Sequence, residues 1–297
     1  MGEVRLLLIG AGRMGLTHLR ALRRSDAVDV VAAADPSDDA LMAATEIDPA
    51  LRTYPDLAAA LAEPLDGVLI AAPSALHRRL VTECAERGLP ILCEKPCGVS
   101  TADVDAAAQA AESAGVALQV GYWRRFVPEL IQLREQLRGG RFGDLLMISC
   151  WQWDAAPPAS GFGSTSGGIV IDMAVHEIDQ IRWLTGSEPE PAHSLQAQGD
   201  DPDCATALLT LSGGAIALVS LGRHFSHGDC VWVELMGTED HARVEVLWGD
   251  PGDSVFLAAL RAQAEDFAQT IRNGGPGHGA SGSDARRALE LAESLSA

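Results

Sequence analysis

Val4-Arg5-Leu6-Leu7-Leu8-Ile9-Gly10-Ala11-Gly12-Arg13-Met14-Gly15, residues 4 to 15, decides the fold. The run Val4–Ile9 reads as a buried strand, and Leu16, Leu19 and Leu22 recur beyond the glycines at helical period. In such a strand-turn-helix the first glycine permits the tight turn and the second lets backbone N–H groups approach a pyrophosphate. The third lets helix pack on strand, and the helix N-terminus adds partial positive charge. This context points to a dinucleotide held by Gly10, Gly12, Arg13, Met14 and Gly15; a glycine turn without a ligand is the alternative. Asp35 ends the next apolar run, Val28–Ala34, where an acid hydrogen-bonds ribose hydroxyls and repels a 2′-phosphate. No Lys or Arg lies between Asp35 and Arg52, so NAD is expected over NADP. Asp35 could equally cap the segment opening at Pro36-Ser37, and the two roles can coexist.

Outward from this turn, short β-like runs alternate with helical segments as far as Gly121. Further strands are expected at Gly67–Ala72, Ile91–Cys93 and Val116–Val120, and Leu76, Leu80, Val81, Cys84 and Ala85 mark a helix ending at Gly88. Near-continuous apolar strands imply a parallel sheet buried on both faces. After Tyr122 the texture changes: a helix over Glu129–Arg138, a strand over Leu145–Trp153, a Pro/Gly/Ser-rich loop over Asp154–Gly168 and a periodic helix over Gly168–Thr185. The β-runs Ala205–Leu211, Ile216–Leu221 and Val231–Met236 read as an antiparallel meander. Two final helices, Val255–Arg272 and Ser283–Ser296, flank a glycine-rich segment, Asn273–Ser283, expected to be flexible. The expected fold is α/β: a doubly wound Rossmann domain, residues 1–121, followed by an α+β substrate domain, residues 122–297. The C-terminal helix is free to pack back on the first domain.

The chain has 297 residues, 47% of them hydrophobic, and no uninterrupted apolar stretch near the ~20 residues that span a bilayer. The flank of the first apolar run lacks the features of a signal peptide. A net charge of −19 argues against sequence-independent nucleic-acid binding, which needs cations to displace counterions from phosphates. Six scattered cysteines without a Cys-x-x-Cys pair read as reduced thiols of a cytoplasmic protein.

Glu94-Lys95-Pro96 follows the strand Ile91–Cys93, at the sheet edge where ligands bind in such folds. Lys95 is the sole lysine of the chain. Unlike Arg, a lysine can be tuned by its neighbours to exchange a proton, which makes Lys95 a catalytic candidate; an exposed lysine at a strand end is the plain alternative. On the helix Gly168–Thr185, Asp172, His176, Asp179 and Trp183 form a second stripe beside the apolar one. Asp172 then orients the His176 imidazole while it exchanges a proton with an alcohol. A surface Asp/His pair and a metal site of Asp172, His176 and Asp179 compete, and the metal reading is the weaker, because hydride transfer to NAD needs only a general base. Pro73 and Ser74 leave the Gly67 strand near the cofactor, and His77 either lines that pocket or sits in a helix's first turn. Trp123 is a candidate wall for the nicotinamide and Arg125 for substrate binding, or both stabilise the joint. Of Trp151 and Trp153, one is expected in the core and the other, Trp153, against a sugar ring.

Taken together, Gly10 to Gly15 with Asp35, Pro73 to His77, Glu94-Lys95-Pro96, Gly121 to Phe126, and Gly167-Gly168 leading to Asp172 through Asp179 resemble the Gfo/Idh/MocA family, the glucose–fructose oxidoreductase and inositol dehydrogenase group. The resemblance spans nearly the full chain. It implies a Rossmann domain plus a large, mostly antiparallel open sheet, NAD(P)-dependent oxidation or reduction of sugars and cyclitols, and a catalytic group of Lys95, Asp172 and His176 with no metal. The run from Asp172 to Asp179 is most similar to inositol dehydrogenases. The segment between Trp248 and Val255 is shorter than is common in the family. A homodimer or homotetramer, formed through the exposed face of the large sheet, is implied likewise. Two other functions stay open: an NAD-binding sensor, which would need neither Lys95 nor His176, and a glycoside hydrolase that uses NAD transiently.

Overall fold

A computed structural model describes residues 2–158, 167–197, 203–248, 253–275 and 277–296. Part of the loop Asp154–Gly168, and residues 249–252 of the segment between Trp248 and Val255, lie outside the described residues. The chain divides into two units, Met1–Trp123 with Phe256–Ser283, and Arg124–Val255 with Asp284–Ala297.

The first unit runs β1 (Val4–Ile9), α1 (Arg13–Leu22), β2 (Val28–Ala34), α2 (Asp38–Ile47), β3 (Arg52–Tyr54), α3 (Leu57–Ala60), β4 (Gly67–Ile70), α4 (His77–Glu86), β5 (Ile91–Cys93), α5 (Thr101–Ala114) and β6 (Leu118–Val120). The strands form one sheet in the order β3-β2-β1-β4-β5-β6, closed at its far edge by β13 (Ala280–Ser281). All pairs are parallel except β13 with β6. The order reverses between β1 and β4, and a crevice outside the carboxyl ends of the strands opens at such a switch point. Every residue of β4 is buried and all but one of β1, so both faces are covered, as apolar strands without alternation require. Helix ends follow local chemistry. Ser37 accepts from the Ala40 N–H at the start of α2, Ser100 accepts from Asp103 N–H at the start of α5, and Gly115 closes α5 at φ 67°.

The helix α8 (Asp253–Asn273) joins this unit from Phe256 onward. Ala264, Phe267 and Ala268 enter the same core as Leu6, Leu8, Leu19 and Leu22. The sequence boundary at Gly121 therefore misses a returning segment, the one that carries this penultimate helix. Periodicity marks a stripe as buried without saying against what. The end of the glycine-rich stretch after α8, residues 278–281, is held by hydrogen bonds. Asp266 accepts from the backbone N–H groups of His278 (2.9 Å) and Gly279 (3.1 Å), and Ala280–Ser281 pairs with β6.

The second unit contains α6 (Pro128–Arg138), β7 (Leu145–Trp153), α7 (Val175–Thr185), β8 (Glu190–Gln196), β9 (Cys204–Thr210), β10 (Ile216–Gly222), β11 (Cys230–Gly237), β12 (His241–Trp248) and most of α9 (Gly282–Ser296). The sheet order is β12-β11-β7-β10-β9-β8. The sheet is mostly antiparallel but is not a meander: β7 lies between β10 and β11 and runs parallel to β10. Alternation fixes which face a strand buries and leaves its neighbours open. Ile148 and Cys150 face α7, where Gln180 Nε2 donates to Cys150 Sγ at 3.4 Å. The opposite face carries Met147 in register with Ile216 and Met236, Leu208 with Leu218, and Trp151 stacked on Trp232 at 4.8 Å. Among the described residues, no helix is long and apolar enough to cross a membrane.

Five of the six cysteines are buried and all are free thiols. Burial pushes the Cys84 thiol up to about 12 and those of Cys93 and Cys150 well above the usual range. A thiol titration of the native protein at mildly alkaline pH is expected to show Cys204 reacting first and the other five only on unfolding; fast modification of Cys93 would contradict this packing.

Candidate cofactor and active-site residues

The glycine turn after β1 is built for close approach. Gly10 adopts φ 95°, and a Cβ there would lie 2.7 Å from the Ala72 backbone nitrogen; a Cβ on Gly15 would lie 2.0 Å from the Gly10 carbonyl oxygen. Only glycine fits at either position. Gly12 differs, since a Cβ there would meet nothing within 4 Å. The turn thus presents its bare backbone at Gly12, where α1 starts with no side-chain cap and no acid in its first turn. These first N–H groups and the positive helix end fit a pyrophosphate. Arg13 is exposed beside them and Met14 half-buried. Gly12→Ala leaves the fold its space and puts a methyl where the phosphate must come. Its thermal midpoint is expected to stay near wild type while the Kd for NAD, read by fluorescence titration, rises by about tenfold, or ~1.4 kcal/mol.

Asp35 fixes this turn. Its carboxylate accepts from the backbone N–H of Ala11 at 2.8 Å and from that of Ser37 at 2.9 Å; the cap of α2 is Ser37, so Asp35 turns the chain into that cap and does not cap the helix itself. Pro73 and Ser74 leave β4 at the same edge, Pro73 exposed and Ser74 half-buried at the start of a short 3-10 turn.

His77 sits in the first turn of α4, the second of its two readings, and its contacts and those of Glu94 are with neighbouring protein groups. His77 is buried, with Nδ1 2.7 Å from the Pro96 carbonyl oxygen and Nε2 2.7 Å from that of Ala72. Both ring nitrogens face main-chain carbonyls, and the side chain lies between the end of β4 and the loop after β5. Burial pushes its pKa down against the pull of those two carbonyls. His77→Leu strands the carbonyl that accepts the ring N–H, at a cost of about 1–3 kcal/mol, to be read as a lowered denaturant midpoint. Glu94 is likewise buried. One oxygen lies 2.6 Å from His18 Nε2, and the other accepts from the Lys95 backbone N–H at 3.2 Å. Burial pushes the Glu94 carboxyl up, but His18 and Lys95 more than offset it and hold it below its ordinary range. Lys95 itself is half-buried, on a cis peptide bond to Pro96. Trp123, expected against the nicotinamide, is only 6% exposed and packs edge-on against Phe256 at 4.8 Å, a core contact of the first unit.

In the second unit, Asp172 lies in a π-helical turn, Val170–Ala174, that leads into α7, and His176 follows at the first turn of the regular helix. The sequence spacing predicts an uninterrupted α-helix; the structure instead inserts a π-turn at Asp172, and such bulges recur at functional sites. The Asp172 carboxyl is partly exposed, and Arg223, itself 1% exposed at the end of β10, brings Nη2 to 3.8 Å from it. Sequence reasoning missed Arg223: a lone Arg after a strand carries no signal until the strand order is known. The rest of the expected polar stripe is interior. Asp179 receives Arg125 Nε at 2.9 Å and Nη2 at 2.5 Å, and Glu177 receives Arg124 Nη1 at 2.5 Å while Arg124 Nη2 donates to Gln152 at 2.8 Å. Burial disfavours the Arg125 charge, and Asp179 with Asp284 more than restores it. Burial likewise pushes the Glu177 carboxyl up, with Arg124 opposing. Arg125 is therefore a buried structural cation and not the free substrate anchor expected, and Asp179, the third ligand in the alternative metal reading, is engaged by Arg125. Trp153 is corrected too. Residues two apart share a face, so Trp151 and Trp153 lie together on the open side; the Trp153 indole N–H donates to Ser220 Oγ at 3.1 Å and its ring covers Gly222.

A doubly wound sheet with a bare glycine turn at its switch point defines a dinucleotide-binding protein. Two family models match, one described as an oxidoreductase family with an NAD-binding Rossmann fold over residues 4–122, the other as the GFO/IDH/MocA C-terminal domain over residues 130–243. The chain is 48% identical to the "Rhizopine catabolism protein MocA" of Rhizobium meliloti, covering 99% of this chain and 94% of that one. It is 30% identical to an inositol 2-dehydrogenase of Rhizobium meliloti, over 98% and 95% of the two chains. A solved myo-inositol 2-dehydrogenase from Lactobacillus plantarum superposes with a TM-score of 0.88 at 27% identity, covering 99% and 96%. The chain belongs to the Gfo/Idh/MocA family of NAD-binding oxidoreductases.

Proposed function

We propose that this enzyme transfers hydride reversibly between NAD and a secondary alcohol of a cyclitol. The observation that carries it is the placement of the sole lysine, Lys95, at the carboxyl end of β5, on the sheet edge where the glycine turn opens. Bound nicotinamide supplies the hydride acceptor or donor at C4. The protein's share is the proton: as the alcohol loses hydride from carbon, His176 takes the hydroxyl proton, Asp172 orients the imidazole, and the Lys95 ammonium donates a hydrogen bond to the carbinol oxygen. Asp35, at the end of β2, favours the unphosphorylated adenosine ribose. The cyclitol class is supported by relatives named for inositol oxidation.

A second copy of this chain, giving a cytoplasmic homodimer or homotetramer, covers the apolar open face around Met147, Ile216 and Met236, two of which are more than 40% exposed. The function is tested by a screen for reduced-nicotinamide absorbance with NAD and NADP against myo-inositol, scyllo-inositol and a panel of aldoses. Turnover with a cyclitol and NAD is expected. Tight NAD binding with no turnover on any polyol would instead favour the sensor.

A further inference from the structure

His18 has no part in the roles assigned above, yet it is among the most deeply buried polar side chains of the first unit. It sits on α1, the helix that begins at the glycine turn, and is 1% exposed. Its Nε2 reaches Glu94 Oε1 at 2.6 Å, its Nδ1 meets no hydrogen-bonding partner among the described residues, and Glu94 Oε2 accepts from the Lys95 N–H. A buried imidazole with a single hydrogen bond is an expensive way to fill core space, where a leucine would cost nothing in desolvation. Its one polar contact is directed at the carboxylate that grips the main chain of Lys95. Glu94 lies close against Gly121, where a Cβ would come within 3.0 Å of the Glu94 carboxyl. The chain of contacts therefore runs from the cofactor-facing helix, through His18 and Glu94, to the backbone that carries the Lys95 ammonium.

We propose that His18 is a positioning residue for Lys95, acting through Glu94, so that α1 and the loop after β5 are held in one register. This rests on the catalytic reading of Lys95. The imidazole donates Nε2–H to Glu94 Oε1, which fixes the carboxylate plane so that Oε2 stays on the Lys95 N–H. A misplacement of a reacting group by about 1 Å can cost roughly 10²-fold in rate. His77, bonded to the Pro96 carbonyl on the other side of Lys95, steadies the same loop.

The test compares His18→Leu, His18→Gln, Glu94→Gln and the double variant His18→Leu/Glu94→Gln in the intact protein, with myo-inositol and NAD as the probes. His18→Leu is expected to lower kcat by about 10- to 100-fold with the fluorescence-titrated Kd for NAD changed by less than about threefold. His18→Gln, whose amide N–H can stand in for Nε2–H, is expected to restore most of the lost kcat. The double variant is expected to be no slower than Glu94→Gln, because the two residues act in series. A kcat for His18→Leu within about twofold of wild type, or losses in the two single variants that multiply in the double, would overturn the proposal. Should His18→Leu fold poorly, the Gln rescue and His18→Asn, whose amide falls short of Glu94, decide it in the same way. Lys95→Met is run beside them: if it keeps wild-type kcat, the catalytic reading of Lys95 fails and this proposal with it, whereas loss in Lys95→Met with retention in His18→Leu overturns the proposal alone.

Discussion

Lys95→Met is expected to lower kcat by roughly 10²- to 10⁴-fold, the range in which a positioned proton-exchanging or charge-stabilising group contributes. Methionine keeps the length and apolar stem of the side chain and removes only the ammonium, so the buried surroundings of Glu94, Pro96 and Cys97 keep their packing. NAD binding, which draws on Gly10 to Gly15 and Asp35, is expected to stay within about threefold of wild type, or ~0.7 kcal/mol. The hydrogen bond that Glu94 accepts from the Lys95 backbone N–H survives the substitution. Steady-state kinetics with a fluorescence titration of NAD separates the two quantities. Equal loss in both would mean that Lys95 serves the cofactor and not the alcohol.

The largest loss of stability is expected from Asp179→Ala. The change leaves the Arg125 guanidinium, 8% exposed, with only the longer contact to Asp284 at 3.4 Å among the described residues. Removing one partner of a buried pair typically costs about 3–5 kcal/mol, because the remaining charge stays desolvated. Replacing both, as Arg125→Met with Asp179→Leu, is expected to cost much less than the single change, since no charge is stranded. Urea unfolding of the three proteins checks this. If Asp179→Ala is as stable as wild type, the pair is not the buried bidentate contact described here.

Much of the fold was legible because its signals are local. Val4–Ile9, Val28–Ala34, Ile91–Cys93 and Leu145–Trp153 could be drawn from apolar runs and turn residues, and the bounds coincide with the strands observed. The edge strands β3 and β8 escaped notice: Arg52–Tyr54 is three residues long, and Glu190–Gln196 is largely exposed and contains Pro191, so neither carries a buried pattern. The insertion of β7 between β10 and β11, and the return of α8, are pairings across more than sixty residues, which no periodicity encodes.

The same division holds at the functional residues. The glycine turn, Lys95 and the Asp172/His176 spacing could be read because each has a chemical reason to be where it is. His77, Glu94, Trp123, Arg125 and Asp179 were of the right type for a site, but a polar residue near a site and a polar residue holding that site in shape look alike in sequence. Only the partners distinguish them: carbonyls for His77, His18 and a backbone N–H for Glu94, a bidentate carboxylate for Arg125. His18 and Arg223 were invisible for the converse reason, each being a single residue whose partner lies far along the chain.

The central claim, direct hydride transfer from a cyclitol carbon to NAD, is tested most directly with inositol deuterated at its ring carbons. The account predicts that the reduced cofactor isolated after turnover by the wild-type protein carries one deuterium at nicotinamide C4, and that His176→Ala forms it far more slowly. Reduced cofactor without the label, or no reduced cofactor at all from a protein that binds NAD tightly, would contradict it.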